Sequence, residues 1–362
     1  MSAHDRQPDA QLDEIQAVET RHFLAPVAIG LLGLGFMFFV SSAEGLPIND
    51  PDAKYVGSPL ALIGLIVALF IVLDVVPRGW RRARDGESGL ASGAAAVFRQ
   101  RWWGRRGVIV IACLLGFYAT YLAYRNLKSF LPFVTGSEHD AALLDLDRAM
   151  FFGNNPATLL HDLLGTGIAA EVLSFVYLAF LTFVPLSLGF ALVWSSRIVA
   201  GVWYVTALAI CWMLGVLSYY LVPSLGPIYA SPGLFAALPD TGVSDLQQTL
   251  LEHRGEVLAD PHGSGAVQSI AGFASLHIAV VFTAAAVAQL SGAPRVLRIA
   301  LWTYLGLTSL ATIYFGWHYV LDDVAGIAIG LAAVYGGAVL VGLRPYPLSA
   351  LTRVTQRAPG TT

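Results

Sequence analysis

Charge is what this chain has little of. Asp, Glu, Lys and Arg make up 12% of its 362 residues, and only two of its cations, Lys54 and Lys128, are lysines. A soluble domain carries about 25% charged residues, so most of this chain's surface is not built to face water. Cysteine is nearly absent as well. Cys113 and Cys211 both fall inside apolar runs, where they read as small core residues and supply neither a disulfide framework nor a metal site. No His-x-x-x-His or comparable ligand spacing occurs, so no metal and no cofactor is expected. There is no repeat of fixed period and no long Pro- or Ser-rich linker, which leaves one domain as the simplest organisation. A basic leader is missing too. Asp5, Asp9, Asp13, Glu14 and Glu19 precede the first apolar run, which is too long for a cleaved signal and reads as a retained span.

Apolar residues fill the space that charge leaves. They account for 56% of the chain, and the mean hydropathy is +0.66. Runs long enough to cross about 30 Å of hydrocarbon lie at 25–45, 57–77, 106–124, 168–193, 198–222, 273–290, 297–316 and 322–343. The expected fold class is therefore all-α: a polytopic transmembrane bundle of about eight spans. It divides into an N-terminal tail 1–24, a membrane-embedded domain 25–343 and a C-terminal tail 344–362. Eight spans put both termini on one face, and sixteen of the 21 cations lie on that face. The other face holds Lys54, Arg125, Lys128, Arg148 and Arg254 with sixteen of the 24 acids. By the positive-inside rule the termini are cytoplasmic and the opposite face is external, in a cell membrane. Arg99-Gln100-Arg101-Trp102-Trp103-Gly104-Arg105-Arg106 mixes cations with indoles as a nucleic-acid site would. Its place just before a span makes it an interfacial anchor, and no nucleic-acid partner is expected.

Two external segments, 125–167 and 223–272, are long enough to contain structure of their own. In the first, apolar residues of Leu143-Leu144-Asp145-Leu146-Asp147-Arg148 recur at helical steps. They predict an interfacial helix interrupted at Gly153-Asn154-Asn155-Pro156. The second is polar and rich in Gly and Pro, with Leu246, Leu250 and Val257 marking a short amphipathic helix within a loop or lid.

The chemistry-bearing residues cluster near the C-terminal end. The topology brings His277, at the start of the sixth span, and His318, at the start of the last, to one depth on the external face. Residues four apart share a helix side, so Asp322 is placed to accept from one ring nitrogen of His318 and leave the other for attack. Asp322 and Asp323 also suit the positive end of a helix dipole without any catalytic role. Ser275 precedes His277 where a helix begins, a position for a cap and for an anion alike. External cations are few, and Arg125 and Lys128 stand at the outer end of the third span, where they are candidates for binding an anion. Interfacial snorkelling accounts for them equally well. Tyr121 sits one turn earlier. His139, His161, His253 and His262 read as solvated loop histidines.

Phe273-Ala274-Ser275-Leu276-His277-Ile278-Ala279 and Gly316-Trp317-His318-Tyr319-Val320-Leu321-Asp322-Asp323-Val324-Ala325-Gly326 resemble the second and third motifs of the type 2 phosphatidic acid phosphatase (PAP2) superfamily. The Ser-Leu-His form, together with the segment around Asp145, Phe152-Gly153 and Pro156, is similar to its inositol phosphorylceramide synthase-like branch. The resemblance spans about 120–326. It departs from the pattern at Ala274, where proline is usual, and at Thr312, where arginine is common. The basic first motif is replaced by Tyr219-Tyr220-Leu221-Val222-Pro223-Ser224-Leu225-Gly226-Pro227-Ile228-Tyr229.

The resemblance implies a lipid phosphatase or phosphotransferase. His318 would attack phosphorus, Asp322 would orient it and His277 would protonate the leaving oxygen. Ser275, Arg125 and Lys128 would bind the phosphate. The substrate would be a membrane lipid or polyprenyl phosphate, and the acceptor water or a lipid or sugar hydroxyl. The rival readings are a multi-span transporter, since such bundles also keep Asp and His in the membrane, and a catalytically inactive PAP2-like protein.

Overall fold

In the computed structural model the described residues are 23–49, 59–86, 89–194 and 198–343. Apart from Phe23 and Leu24, the two tails lie outside them. Among the described residues the fold is all-α and carries no strand. The helices of nine residues or more are α1 (Ala25–Glu44), α2 (Pro59–Arg84), α3 (Leu90–Arg101), α4 (Arg105–Val134), α5 (Asp140–Met150), α6 (Pro156–Leu164), α7 (Ile168–Gly189), α8 (Ile198–Leu221), α9 (Gly242–Ala259), α10 (Leu276–Leu290), α11 (Arg295–Tyr314) and α12 (Val320–Leu340). Seven are long and apolar enough to cross a membrane: α1, α2, α4, α7 with its π-helical extension Phe190–Trp194, α8, α11 and α12. The eighth predicted span is α10, an apolar helix of 15 residues. At 1.5 Å per residue it covers only about 22 Å, and the chain Gly272–Ser275 leads into it.

The centre of the bundle is α8, whose Val205, Ala207, Leu208 and Cys211 are fully buried among α1, α4, α10 and α12. α10 is buried almost as completely, because it is wedged between α8, α11 and α12. Small residues permit this closeness. A Cβ on Gly326 of α12 would strike the Ser275 carbonyl at the start of α10, so the last two motif-bearing elements are in backbone contact.

Two sequence expectations are revised by length. The third span does not end near residue 124: α4 runs on to Val134, so Arg125 and Lys128 sit inside a helix and not in a loop. The amphipathic stretch around Leu246 and Leu250 is also longer than a short helix. α9 has 18 residues and opens with Thr241, whose hydroxyl accepts from the Val243 N–H in a capping box with Ser244. The interruption foreseen at Gly153-Asn154-Asn155-Pro156 is where α5 gives way to α6. Phe152 and Gly153 turn through positive φ, the Asn155 side chain caps α6, and Pro156 occupies its first turn.

At the end of the bundle where α4 begins, α2 and α3 form a hairpin around Asp74. Its carboxylate pairs with Arg78 and accepts from Arg101 Nε at 3.1 Å and Trp102 Nε1 at 3.2 Å. Arg106 lies 5.0 Å over the Trp102 ring and donates to the Val193 carbonyl at 3.1 Å, at the end of the π-helical turn. The Arg-Trp run therefore packs the helix ends.

Candidate active site

The His318–Asp322 pairing expected from a shared helix side is present, but its origin is different. α12 begins only at Val320, so His318 precedes the helix and Asp322 is its third residue. The Asp322 Oδ2 accepts from the Tyr319 backbone N–H at 3.0 Å and from His318 Nδ1 at 3.3 Å. A helix cap therefore doubles as the histidine's anchor, and one carboxylate oxygen serves both purposes. Because a carboxylate only accepts, His318 carries its proton on Nδ1 and presents the lone pair of Nε2.

His277, on the first turn of α10, meets that lone pair: its Nδ1 lies 3.1 Å from His318 Nε2. The two rings sit edge to face, 5.3 Å between centroids. His277 is backed by Phe180 and Tyr177 of α7, at centroid distances of 4.5 and 4.9 Å. Tyr177 in turn stacks on Trp317 at 5.0 Å. His318 is 4% exposed and Asp322 fully buried. Burial, reinforced by the charge of Lys128, pushes the His318 imidazole down to about 3, so its ring is neutral and nucleophilic at ordinary pH.

Both histidines line a cavity of about 400 Å³ together with Arg125, Lys128, Tyr121, Tyr219 and Trp317. Lys128 Nζ rests 4.9 Å over the Tyr219 ring and 3.4 Å from the Tyr124 hydroxyl, a cation held against aromatic faces. Arg125 Nη1 donates to Ser269 Oγ at 2.7 Å. The two cations thus reach the cavity from α4, the helix whose extension the hydropathy pattern does not show.

Ser275 is placed differently. It is fully buried, its Oγ accepts from the Ile278 N–H at 3.4 Å, and its own N–H donates to the Asp322 carbonyl at 3.0 Å. It caps α10 and ties it to α12, and it is not among the cavity-lining residues.

The segments between α4 and α7 and between α8 and α10 supply residues that carry no motif of their own. Asp140, at the start of α5, accepts from the Leu225 and Gly226 N–H groups, both at 2.9 Å, and from the Tyr319 hydroxyl at 3.0 Å. One buried carboxylate therefore joins the Pro223–Gly226 turn to the loop that carries His318. Asp147, two turns on, accepts from the Val320 N–H at 3.1 Å, and burial lifts its carboxyl to about 6. The seven-residue spacing of these two acids on an amphipathic helix was the available signal, because it puts both on one side. Gln268 Nε2 donates to the Lys128 carbonyl at 2.7 Å, which pins the loop before α10 onto α4.

The loop histidines divide. His262 is exposed, and the nearby Asp260 carboxylate turns back to accept from the His262 and Gly263 N–H groups. His161, expected to be solvated, is buried with Nε2 2.8 Å from the Tyr314 carbonyl. It satisfies an otherwise open helix-end acceptor of α11. His253 also departs from expectation, because α9 places it on the cavity wall. Tyr121 lines the cavity as well, with its ring 5.5 Å from Trp212.

Fold and site together define a multi-pass membrane protein with a cationic, histidine-paired cavity at one end of an all-α bundle. The chain belongs to the PAP2 superfamily, whose family model matches residues 141–336, more than half of its length. That match runs from α5 to α12 and includes both histidines and Asp322. No curated protein and no solved structure matches the chain.

Proposed function

We propose that this protein is a membrane phosphatase or phosphotransferase that acts on a lipid-linked phosphate at the extracytoplasmic face through a phosphohistidine intermediate. The observation that carries this reading is the 3.1 Å contact between His277 Nδ1 and His318 Nε2, with Asp322 behind His318. In the first step His318 Nε2 forms a bond to phosphorus as the bond to the leaving oxygen breaks, and protonated His277 gives that oxygen its proton. In the second step a water or alcohol oxygen attacks phosphorus, the P–N bond breaks and His277 takes up the proton. Asp322 holds the Nδ1 proton of His318 throughout and offsets the charge on the phosphorylated ring. A phosphoryl group must displace the direct histidine contact, so the His277 ring shifts on binding. Lys128 and Arg125 offer the fixed positive charge that the non-bridging oxygens need, and Ser275 acts by capping the helix that carries His277.

The similarity of the Ser-Leu-His and His-Tyr-x-x-Asp strings to the inositol phosphorylceramide synthase-like branch supports transfer to a lipid or sugar hydroxyl. Simple hydrolysis requires only water at the same position. The bias of arginine toward the face of the termini supports an extracytoplasmic site. Trapping an acid-labile phosphoenzyme from a labelled lipid phosphate, with the label on His318, is the expected result. A His318→Ala protein that keeps full turnover rejects the reading, and product analysis with and without a hydroxyl acceptor separates transfer from hydrolysis.

A further inference from the structure

Three consecutive residues fix the nucleophile's place, and two of their holds come from a helix outside the spans. The His318 ring is anchored to Asp322. Tyr319 is buried and donates its hydroxyl proton to Asp140 Oδ1 at 3.0 Å, while Val320 donates its N–H to the two oxygens of Asp147, at 3.1 and 3.2 Å. Asp140 and Asp147 are both buried, on one side of α5. Asp145, on its other side, is exposed and lies 3.9 Å from Arg148.

The opening of α12 needs these partners, because the first N–H groups of a helix have no acceptor inside it. Asp322 Oδ2 already serves the Tyr319 N–H and the His318 ring together, and the Val320 N–H falls to Asp147. Without Asp147, that one oxygen is left to hold both the first turn of α12 and the ring. Asp140 braces the same stretch from the other direction, since it also accepts from the Leu225 and Gly226 N–H groups at 2.9 Å and so ties α5 to the turn that follows α8. Neither acid is among the residues that line the histidine cavity. They act on the site through the two residues that follow His318, and the leverage is large: a misplacement of about 1 Å can cost on the order of 10²-fold in rate.

We propose that Asp140 and Asp147 are positioning residues for phosphoryl transfer: through Tyr319 and Val320, α5 sets the place and ring orientation of His318 without touching the substrate. The proposal rests on the phosphohistidine reading above and adds to it the element that aligns the nucleophile. The two acids differ in what they require. Asp147 accepts from one backbone donor with both oxygens, whereas Asp140 accepts from three donors and uses each oxygen. An asparagine oxygen can replace the first arrangement, but in the second its amide N–H would face another donor.

The kinetic test follows phosphoenzyme formation from a labelled diacylglycerol phosphate in the full chain in detergent, and reads the rate constant apart from the fraction of protein labelled. In Asp147→Ala the rate constant should fall about tenfold to a hundredfold, with KM and the labelled fraction little changed. Asp147→Asn should recover most of the rate and Asp140→Asn should not. Tyr319→Phe, which removes only the hydroxyl, should lose less than Asp140→Asn, and the exposed Asp145→Asn should lose nothing. A smaller labelled fraction with an unchanged rate constant marks a folding role and overturns the proposal. So does a raised KM with unchanged kcat, or an equal loss in Asp145→Asn. Hydrogen exchange read by mass spectrometry keeps the hold on the backbone separate from the chemistry. The peptide that contains residues 318–322 should exchange faster in Asp147→Ala than in the unaltered protein, and Asp147→Asn should restore it. Unchanged exchange overturns the proposal whatever the enzyme turns over. An unaltered protein that shows this exchange pattern but forms no phosphoenzyme overturns the catalytic reading, and the positioning role with it.

Discussion

At one end of the α7–α10 seam, Tyr177 and His277 face a cavity shared with His318, Arg125 and Lys128. At the other end the same helices present Phe183, Leu186, Ala284 and Ala288, with a hydroxyl pair closed on itself. The difference lies in what each end must stabilise. Buried ionisable groups are costly in the membrane, and the histidine end meets that cost with partners from outside the spans. Asp140 and Asp147 of α5, Gln268 and Ser269 of the loop, and the capping turn at Tyr319 all converge there. The opposite end needs no such support, because its lining asks only for space, and small side chains supply it.

The comparison breaks most readily at its polar end. His318→Ala should lower turnover of a lipid phosphate on the order of 10⁴-fold or more by removing the nucleophile, with no phosphoenzyme formed. If the loss is no larger than that of a substitution at the apolar end, the contrast between the two ends fails. Next in size is Lys128→Met, expected to cost about 10²–10³-fold in kcat, the effect of removing one fixed donor from an oxyanion. Lys128→Arg should recover part of the loss. An unchanged kcat in Lys128→Met would mean that the cation over Tyr219 only packs the helix.

The smallest effect is in stability against pH. His318 titrates near 3 in the folded protein against about 6.5 unfolded, so folding favours the neutral ring. That contribution is complete above pH 6.5 and is lost as pH falls from 6.5 toward 3, by at most about 1.4 kcal/mol per pH unit. Thermal unfolding in detergent should show a shallower acid slope for His318→Gln than for the unaltered protein. By the same depression, protonation of His318 should not produce an acid limb in the rate profile near 6.5.

Much of this fold was legible because a bilayer imposes simple rules. Apolar runs of sufficient length located seven long spans and α10 to within a few residues at most ends, and Asn155-Pro156 marked the start of α6 correctly. The early end expected for α4 has a physical cause. Polar residues Arg125, Asn126 and Lys128 end a hydropathy window, yet here they are covered by neighbouring helices and loops. Asn126 is bonded to Asn49 and Leu122, Lys128 lies on Tyr219, and Arg125 is held by Ser269. His161 departs from expectation for a related reason, since its partner is a carbonyl 153 residues away.

The sequence by itself determined the membrane bundle, the family-like strings and the residues His277, His318 and Asp322, because helix length, charge bias and motif spacing are local properties of the chain. Only the tertiary structure decided that the two imidazoles touch, that Asp322 holds His318 through a capping turn, and that α4 brings Lys128 into the cavity. Only it assigned Ser275 to the helix joint. Each of these depends on side chains far apart in sequence meeting where burial makes a hydrogen bond or a charge matter most, and no local pattern encodes such a meeting.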